Sequence, residues 1–152
     1  MAFQFNLNSV LELRKTESDQ LTSLLETHKK KLDDLKTMLE NEKECYFNER
    51  DQINEDLLLN RLDRIAMFEN SLELRKSWML RLLESIRSVE DDVQHYSIAL
   101  KQSKRNVKIL EKLRDKQYED FMNEENKREQ RILDEHANTQ FIHRHNFESQ
   151  KP

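Results

Sequence analysis

The chain has 152 residues, of which 36% are hydrophobic and 37% charged, and its mean hydropathy is -0.99. So thin an apolar content excludes a compact globule of ordinary domain size. The absence of Gly, with one Pro in last position, excludes the Gly-dependent turns and phosphate loops of nucleotide-binding folds. The charge balance, 26 basic against 30 acidic residues for a net of -4, lacks the basic footprint of a nucleic-acid or anionic-membrane binder. Two classes survive, disorder and long helices that bury only a seam. Disordered chains carry Pro, Gly and Ser and lack periodic apolar residues, whereas this chain is rich in helix formers such as Glu, Lys, Leu, Arg and Gln. Cys45 stands alone, so no intrachain disulfide is possible and a reducing compartment is expected. The opening MAFQFNLNSV lacks the basic and continuous apolar regions of a signal peptide. No window approaches the ~20 apolar residues of a membrane span. The expected location is cytoplasmic.

In chain order, Phe3, Phe5 and Leu7 alternate with polar residues, compatible with a short strand or an apolar lead-in to a helix. Ser9 and Glu12 have the spacing of a capping box, with Asn6 as a competing cap. Leu21, Leu25, His28, Leu32, Leu35 and Leu39 then follow alternating three- and four-residue steps. Leu7 and Leu11 lie in phase upstream, Tyr46 and Ile53 downstream. This is a heptad seam interrupted by Arg14, Ser18, Glu42 and Glu49. It predicts helix one over about residues 7–56.

Leu57, Leu58, Leu59, Leu62 and Ile65 break the spacing. Asn54, Asn60 and Asp63 are the nearest turn-compatible residues, which places a reversal in 55–64. The residues alone leave a second arrangement open, one unbroken helix that dimerises. Helix two, over about 64–138, has a denser seam from Phe68 and Leu72 through Met79, Leu82, Ile86, Val89, Val93, Tyr96 and Leu100 to Leu110. A turn near residue 60 sets Leu21 opposite residue ~99 and Leu39 opposite ~81, so that the two richest segments face each other. The fold class is all-α, an antiparallel two-helix coiled-coil hairpin, rod-like, forming one unit over 1–140. Residues 139–152 read as a flexible tail.

Candidate chemistry is sparse. Cys45 has no His at metal-ligand spacing. His136 and His143 share a helix face but lie seven residues apart, too far to share an ion without bending, and with His145 they read as incidental tail histidines. The many carboxylates sit on solvated faces, without the burial that separates a general acid from a base. No active site, cofactor site or metal site is read, and the chain is not expected to be an enzyme. Lys101, Lys104, Arg105, Lys108, Lys112, Arg114 and Lys116 form a solvated basic face or a surface for an acidic partner. Nucleic acid fits poorly, because no aromatic residues are interleaved to stack bases. The surplus apolar residues Tyr46, Phe47, Phe68, Leu72 and Trp78 either cap the hairpin as a local core or form a partner site.

Two motifs resemble the flagellar FliJ family of type III secretion central-stalk proteins. The first is Phe5, Leu7, Val10, Leu11, Arg14 and Glu17. The second is Leu110, Glu111, Leu113 and Arg114, followed by Glu129, Gln130, Arg131, Asp134, Glu135 and Ala137, with Arg131 where the family has Lys. The resemblance implies a soluble hairpin of the flagellar protein export apparatus, peripheral to the membrane through protein partners only. Its implied partners are the hexameric export ATPase, the cytosolic domain of the export gate protein and export chaperones, with no nucleic acid. The terminal motifs (Phe5, Leu7, Arg14, Leu110, Leu113, Arg114, Gln130, Asp134 and Glu135) are implied to meet the centre of the ATPase ring. An exposed apolar set (Leu39, Tyr46, Phe68 and Leu72) is implied to meet the gate. Arg75 and Met79 depart from the family pattern, which has a small residue and a His there. The alternatives are a generic scaffolding coiled coil that homodimerises, or a general export chaperone.

Overall fold

The computed structural model describes residues 2–151; Met1 and Pro152, at the ends of the expected hairpin and tail, lie outside them. Two α-helices make up the fold, α1 (Asn8–Leu58) and α2 (Leu62–Glu148), and no strand occurs among the described residues. The all-α antiparallel hairpin is as expected. Contacts group the chain into two compact units, one joining the chain up to Lys15 with the chain from Arg105 onwards, the other comprising Thr16–Lys104.

The start of α1 differs from both expected caps. The Leu11 N–H donates to the Leu7 carbonyl at 2.9 Å, and the Asn8 N–H donates to Phe5 at 3.0 Å. Leu7 is therefore the half-helical residue, and Ser9 already lies inside the first turn. The lead-in before it is irregular with a turn at Asn6 and Leu7.

The reversal falls on Asn60, the one described non-Gly residue with positive φ, at 56°. The Arg61 N–H donates to Asp56 C=O at 2.8 Å, and the Asn60 N–H donates to Leu57 C=O at 3.2 Å. This pair of bonds is the Schellman motif, in which a left-handed residue just past a helix satisfies its last carbonyls. Asn is the side chain best suited to that conformation when Gly is absent. The apolar contact that often accompanies the motif is replaced by charge. The Asp56 carboxylate is fully buried, with Arg61 Nη1 at 3.9 Å and Arg64 Nε at 3.8 Å, and Gln52 Nε2 donates to it at 3.4 Å. Asp63 in the first turn of α2 suits the positive end of that helix dipole.

Within Thr16–Lys104 the two seams meet as the heptads require. Leu39, Leu82 and Ile86 form the buried cluster, with Leu32, Leu35 and Met79 packed against it. Leu39 thus packs near the height expected for residue ~81. His28, which shares the leucine row, is held between the helices. Its Nδ1 lies 2.8 Å from Leu24 C=O, its ring centroid 4.9 Å from that of Tyr96, and its Nε2 4.0 Å from Asp92.

The polar interruptions at Glu42 and Glu49 also have a partner. Arg75 on α2 donates through Nη1 to Glu42 at 2.8 Å and through Nε to Glu49 at 3.0 Å. The Ser71 hydroxyl donates to the same Glu49 oxygen at 3.1 Å. These hydrogen bonds to two carboxylates raise the Arg75 pKa above its ordinary value. Because the three charged side chains are mostly shielded, the clamp is worth more than an open surface pair.

Helix two does not stop near 138. It continues to Glu148, which corrects the expected boundary and makes most of the expected flexible tail helical. No Gly or Pro interrupts this stretch. The Thr139 hydroxyl donates to Glu135 C=O at 2.9 Å, and Phe141 stacks on His145 one turn later, with centroids 6.1 Å apart.

Truncating the core is expected to be costly. Leu82 is 2% exposed, so Leu82→Ala should reduce unfolding free energy by about 3 kcal/mol in urea titration followed by circular dichroism. Arg75→Ala leaves the Glu42 and Glu49 carboxylates of α1 in the seam without their cation. It should cost about 2 kcal/mol in the same assay, and the loss should shrink in high salt, which screens the exposed part of the pair.

Candidate functional site

Two surfaces carry the residues singled out in the sequence. The first belongs to the unit that joins both terminal regions. There Phe3, ahead of α1, packs edge-on against Tyr118 of α2 at 5.3 Å and tilted against Phe121 at 5.7 Å. Phe5 is buried and Leu11 fully so. Leu7 is partly exposed, Leu110 half-buried and Leu113 exposed. Lys15 of α1 reaches Glu111 of α2 at 3.8 Å. Arg114 donates through Nε and Nη2 to Asp115 at 3.2 and 3.1 Å, and it lines a shallow cavity with Phe3, Gln4, Phe5, Asn6 and Asn8.

The two motifs, Glu17 apart, lie in one unit and approach each other in part, through Arg114 beside Phe5. Arg14 is exposed, as are Gln130, Asp134 and Glu135 farther along α2. Ile132 and Leu133 are exposed as well, so this stretch of α2 presents a mixed apolar and charged surface. Phe3 is the residue whose role the sequence reading did not resolve. Its only signal was the alternation of Phe3, Phe5 and Leu7, which does not identify Tyr118 and Phe121 as the side chains that receive it.

The second surface lies in Thr16–Lys104, around the expected apolar set. Leu39 does not belong to an exposed surface, since it is buried against Leu82 and Ile86. That corrects its expected place, for the physical reason that it occupies the thickest part of the seam. Tyr46, Phe68 and Leu72 are half-buried. Tyr46 meets Phe47 edge-on at 5.6 Å, and the Arg64 guanidinium sits over the Phe68 ring at 5.9 Å, within cation–π range. Phe47 and Trp78 remain exposed. Beside them an apolar groove is lined by Leu39, Met79, Leu80 and Leu83, with Lys43 and Lys76 at its rim. Each lysine pairs on its own helix, with Glu40 at 2.9 Å and Glu73 at 3.4 Å.

Arg75 and Met79, the two departures from the family pattern, both take structural positions. Arg75 closes the clamp with Glu42 and Glu49, and Met79 packs on the core. The signal for the clamp was present in the sequence as two acidic interruptions seven residues apart on one seam. Their cation could be identified only once the helices were in register.

Chemically, these surfaces are suited to binding. No group of three or more His, Cys, Asp or Glu side chains able to hold a metal occurs among the described residues. Cys45 is free and exposed. No helix among the described residues is long and apolar enough to cross a membrane.

The family model described as "Flagellar FliJ protein" matches residues 3–146, nearly the whole chain. No curated protein and no solved structure matches it. Both end motifs, the paired seams and the turn all lie inside that match, and the chain belongs to the FliJ family, as a component of the flagellar export apparatus.

Proposed function

We propose that this protein is a stalk that binds the centre of the hexameric export ATPase and couples it to the cytosolic domain of the export gate protein, with an escort role toward export chaperones. It works in the cytoplasm, peripheral to the membrane through protein partners, and has no catalysis or cofactor of its own. The observation that carries this reading is the family match over residues 3–146. It is supported by a fold that joins the two terminal regions in one unit, with Phe3 against Tyr118 and Phe121 and Lys15 beside Glu111.

In this reading the ATPase surface comprises Phe5, Leu7, Arg14, Leu110, Leu113 and Arg114, with Gln130, Asp134 and Glu135 farther along α2. Its exposed members are largely charged or amphipathic. Such contacts are individually weak in water, which suits a partner that must seat and release. The gate surface comprises Tyr46, Phe68 and Leu72 with the exposed Phe47 and Trp78 beside them, since aromatic side chains at the edge of a packed seam are the usual anchors of protein interfaces. Leu39, buried in the seam and lining the adjoining groove, supports this surface from beneath.

Pulldowns with each purified partner test the assignment. The double variant Phe68→Ala/Leu72→Ala should lose at least about ten-fold in gate affinity, on the order of one hot-spot residue, with ATPase binding retained. Helical content should be checked by circular dichroism. A folded variant that loses the ATPase and keeps the gate would overturn the assignment.

A further inference from the structure

One stretch of α2 carries more apolar surface than a two-helix seam can use. Met79, Leu82 and Ile86 pack into the core with Leu39. The row beside them runs Lys76, Leu80, Leu83 and Arg87, in steps of four, three and four, and so stays on one edge of the helix. Leu80 is 63% exposed and Leu83 42%. Past Leu83 the same row is polar, through Arg87, Glu90, Gln94, Ser97 and Lys101. An apolar stripe wider than the coiled-coil seam belongs to helices that face more than one neighbour, and here that widening is confined to two turns.

These leucines form one wall of the groove whose other wall is Leu39 and Lys43 of α1. Leu39 packs with Leu82. Counted from that contact, Lys43 lies four residues nearer the turn on α1, and Lys76 six residues nearer on α2. One cation therefore stands on each wall, both at the end towards the turn, and their aliphatic stems continue the apolar lining. Each lysine is tied to an exposed carboxylate three residues away on its own helix, Glu40 or Glu73. Such exposed pairs are weak, so both ammonium groups are open to a better partner. Inside its lysine rim the lining is apolar, without the convergent polar groups that orient a small ligand.

We propose that this groove receives one amphipathic helix of a partner protein, apolar where it meets Leu80 and Leu83 and acidic one turn nearer the hairpin turn, between Lys43 and Lys76. Host and guest form a short three-helix coiled coil. A helix is the fitting shape because both walls are helical ridges, and a third helix fills such a groove with residues at i, i+3 or i+4, and i+7. An acidic guest is the fitting charge because the two cations come from opposite walls. A seated helix also excludes water beside them, so a carboxylate between two ammonium groups is held more strongly than in either open pair. A basic guest would meet two like charges. Tyr46, Phe68 and Leu72 lie in the seam row and not in this one, so the groove can be filled whichever partner those residues meet.

The probe is a fluorescein-labelled, alanine-based peptide of about 18 residues, long enough to be helical, with leucine at i, i+4 and i+7 and glutamate at either flank. A second probe has lysine in place of each glutamate. Both are titrated with the full chain by fluorescence anisotropy. The acidic probe should bind at least about ten-fold tighter than the basic one. Leu80→Ser/Leu83→Ser should weaken it at least about ten-fold, with helical content unchanged by circular dichroism, since both side chains are exposed. Lys43→Glu/Lys76→Glu should reverse the preference between the probes. Ile98→Ser, at an exposed apolar residue outside the row, should change neither. No binding of the acidic probe, equal binding of the two probes, or an equal loss on Ile98→Ser would overturn the proposal. Self-association of the chain alone, in sedimentation, that Leu80→Ser/Leu83→Ser abolishes would give the groove to a second copy and overturn it as well.

Discussion

The whole arrangement depends on one backbone conformation. A chain without Gly has few ways to end a helix and turn back, because a left-handed residue with a Cβ is costly. Asn60 meets that need at φ 56°, and the carbonyls that α1 would leave bare are satisfied by the N–H groups of Asn60 and Arg61. Once the reversal is set there, the heptad seams of α1 and α2 come into register without further adjustment. The buried Asp56 carboxylate between Arg61 and Arg64 adds an electrostatic tie at the same place. The turn is thus held by one tolerant side chain and one buried charge.

From that register the packing follows. Few apolar residues are buried, and Leu39, Leu82 and Ile86 form a packed cluster among them. Polar residues at seam positions are tolerated because they find partners across it. Glu42 and Glu49 hold Arg75, and His28 lies between Leu24, Tyr96 and Asp92. Such pairs give less free energy than leucines would, yet they penalise any slip of one helix against the other, which would leave charges buried and unpaired.

The same thin packing leaves apolar and aromatic side chains exposed along both helices. With only a seam to bury, most side chains face outward. Apolar and aromatic side chains therefore stay at the surface where the seam ends or is over-supplied with them. The aromatic contacts of Phe3 with Tyr118 and Phe121 mark the first situation, and the exposed Phe47 and Trp78 mark the second.

Much of this was legible in the residues. The three- and four-residue spacing of Leu21–Leu39 and of Met79–Leu100 identified two helices and their facing stretches, since a helix repeats its faces at that period whatever it packs against. The missing Gly excluded nucleotide loops, and the turn-compatible residues within 55–64 included Asn60. The spacing along one helix does not say which side of the seam a residue takes. By its heptad row Leu39 belonged to the seam, and by the family resemblance to an exposed set; Leu82 and Ile86 around it decide for the seam. Nor could sequence pair Phe3 with Tyr118 and Phe121, or Glu42 and Glu49 with Arg75, because those partners lie far along the chain and meet only at one register. The helical run to Glu148 was hidden by the loss of apolar periodicity, which reports the absence of a packing partner and not the absence of helix. The sequence by itself determined that the chain is helical and where its apolar seams run, because these are local properties of period and propensity. Only the tertiary structure decided which seam residues are core, which charges meet and what the turn leaves bare, because those depend on which distant residues are brought to the same height.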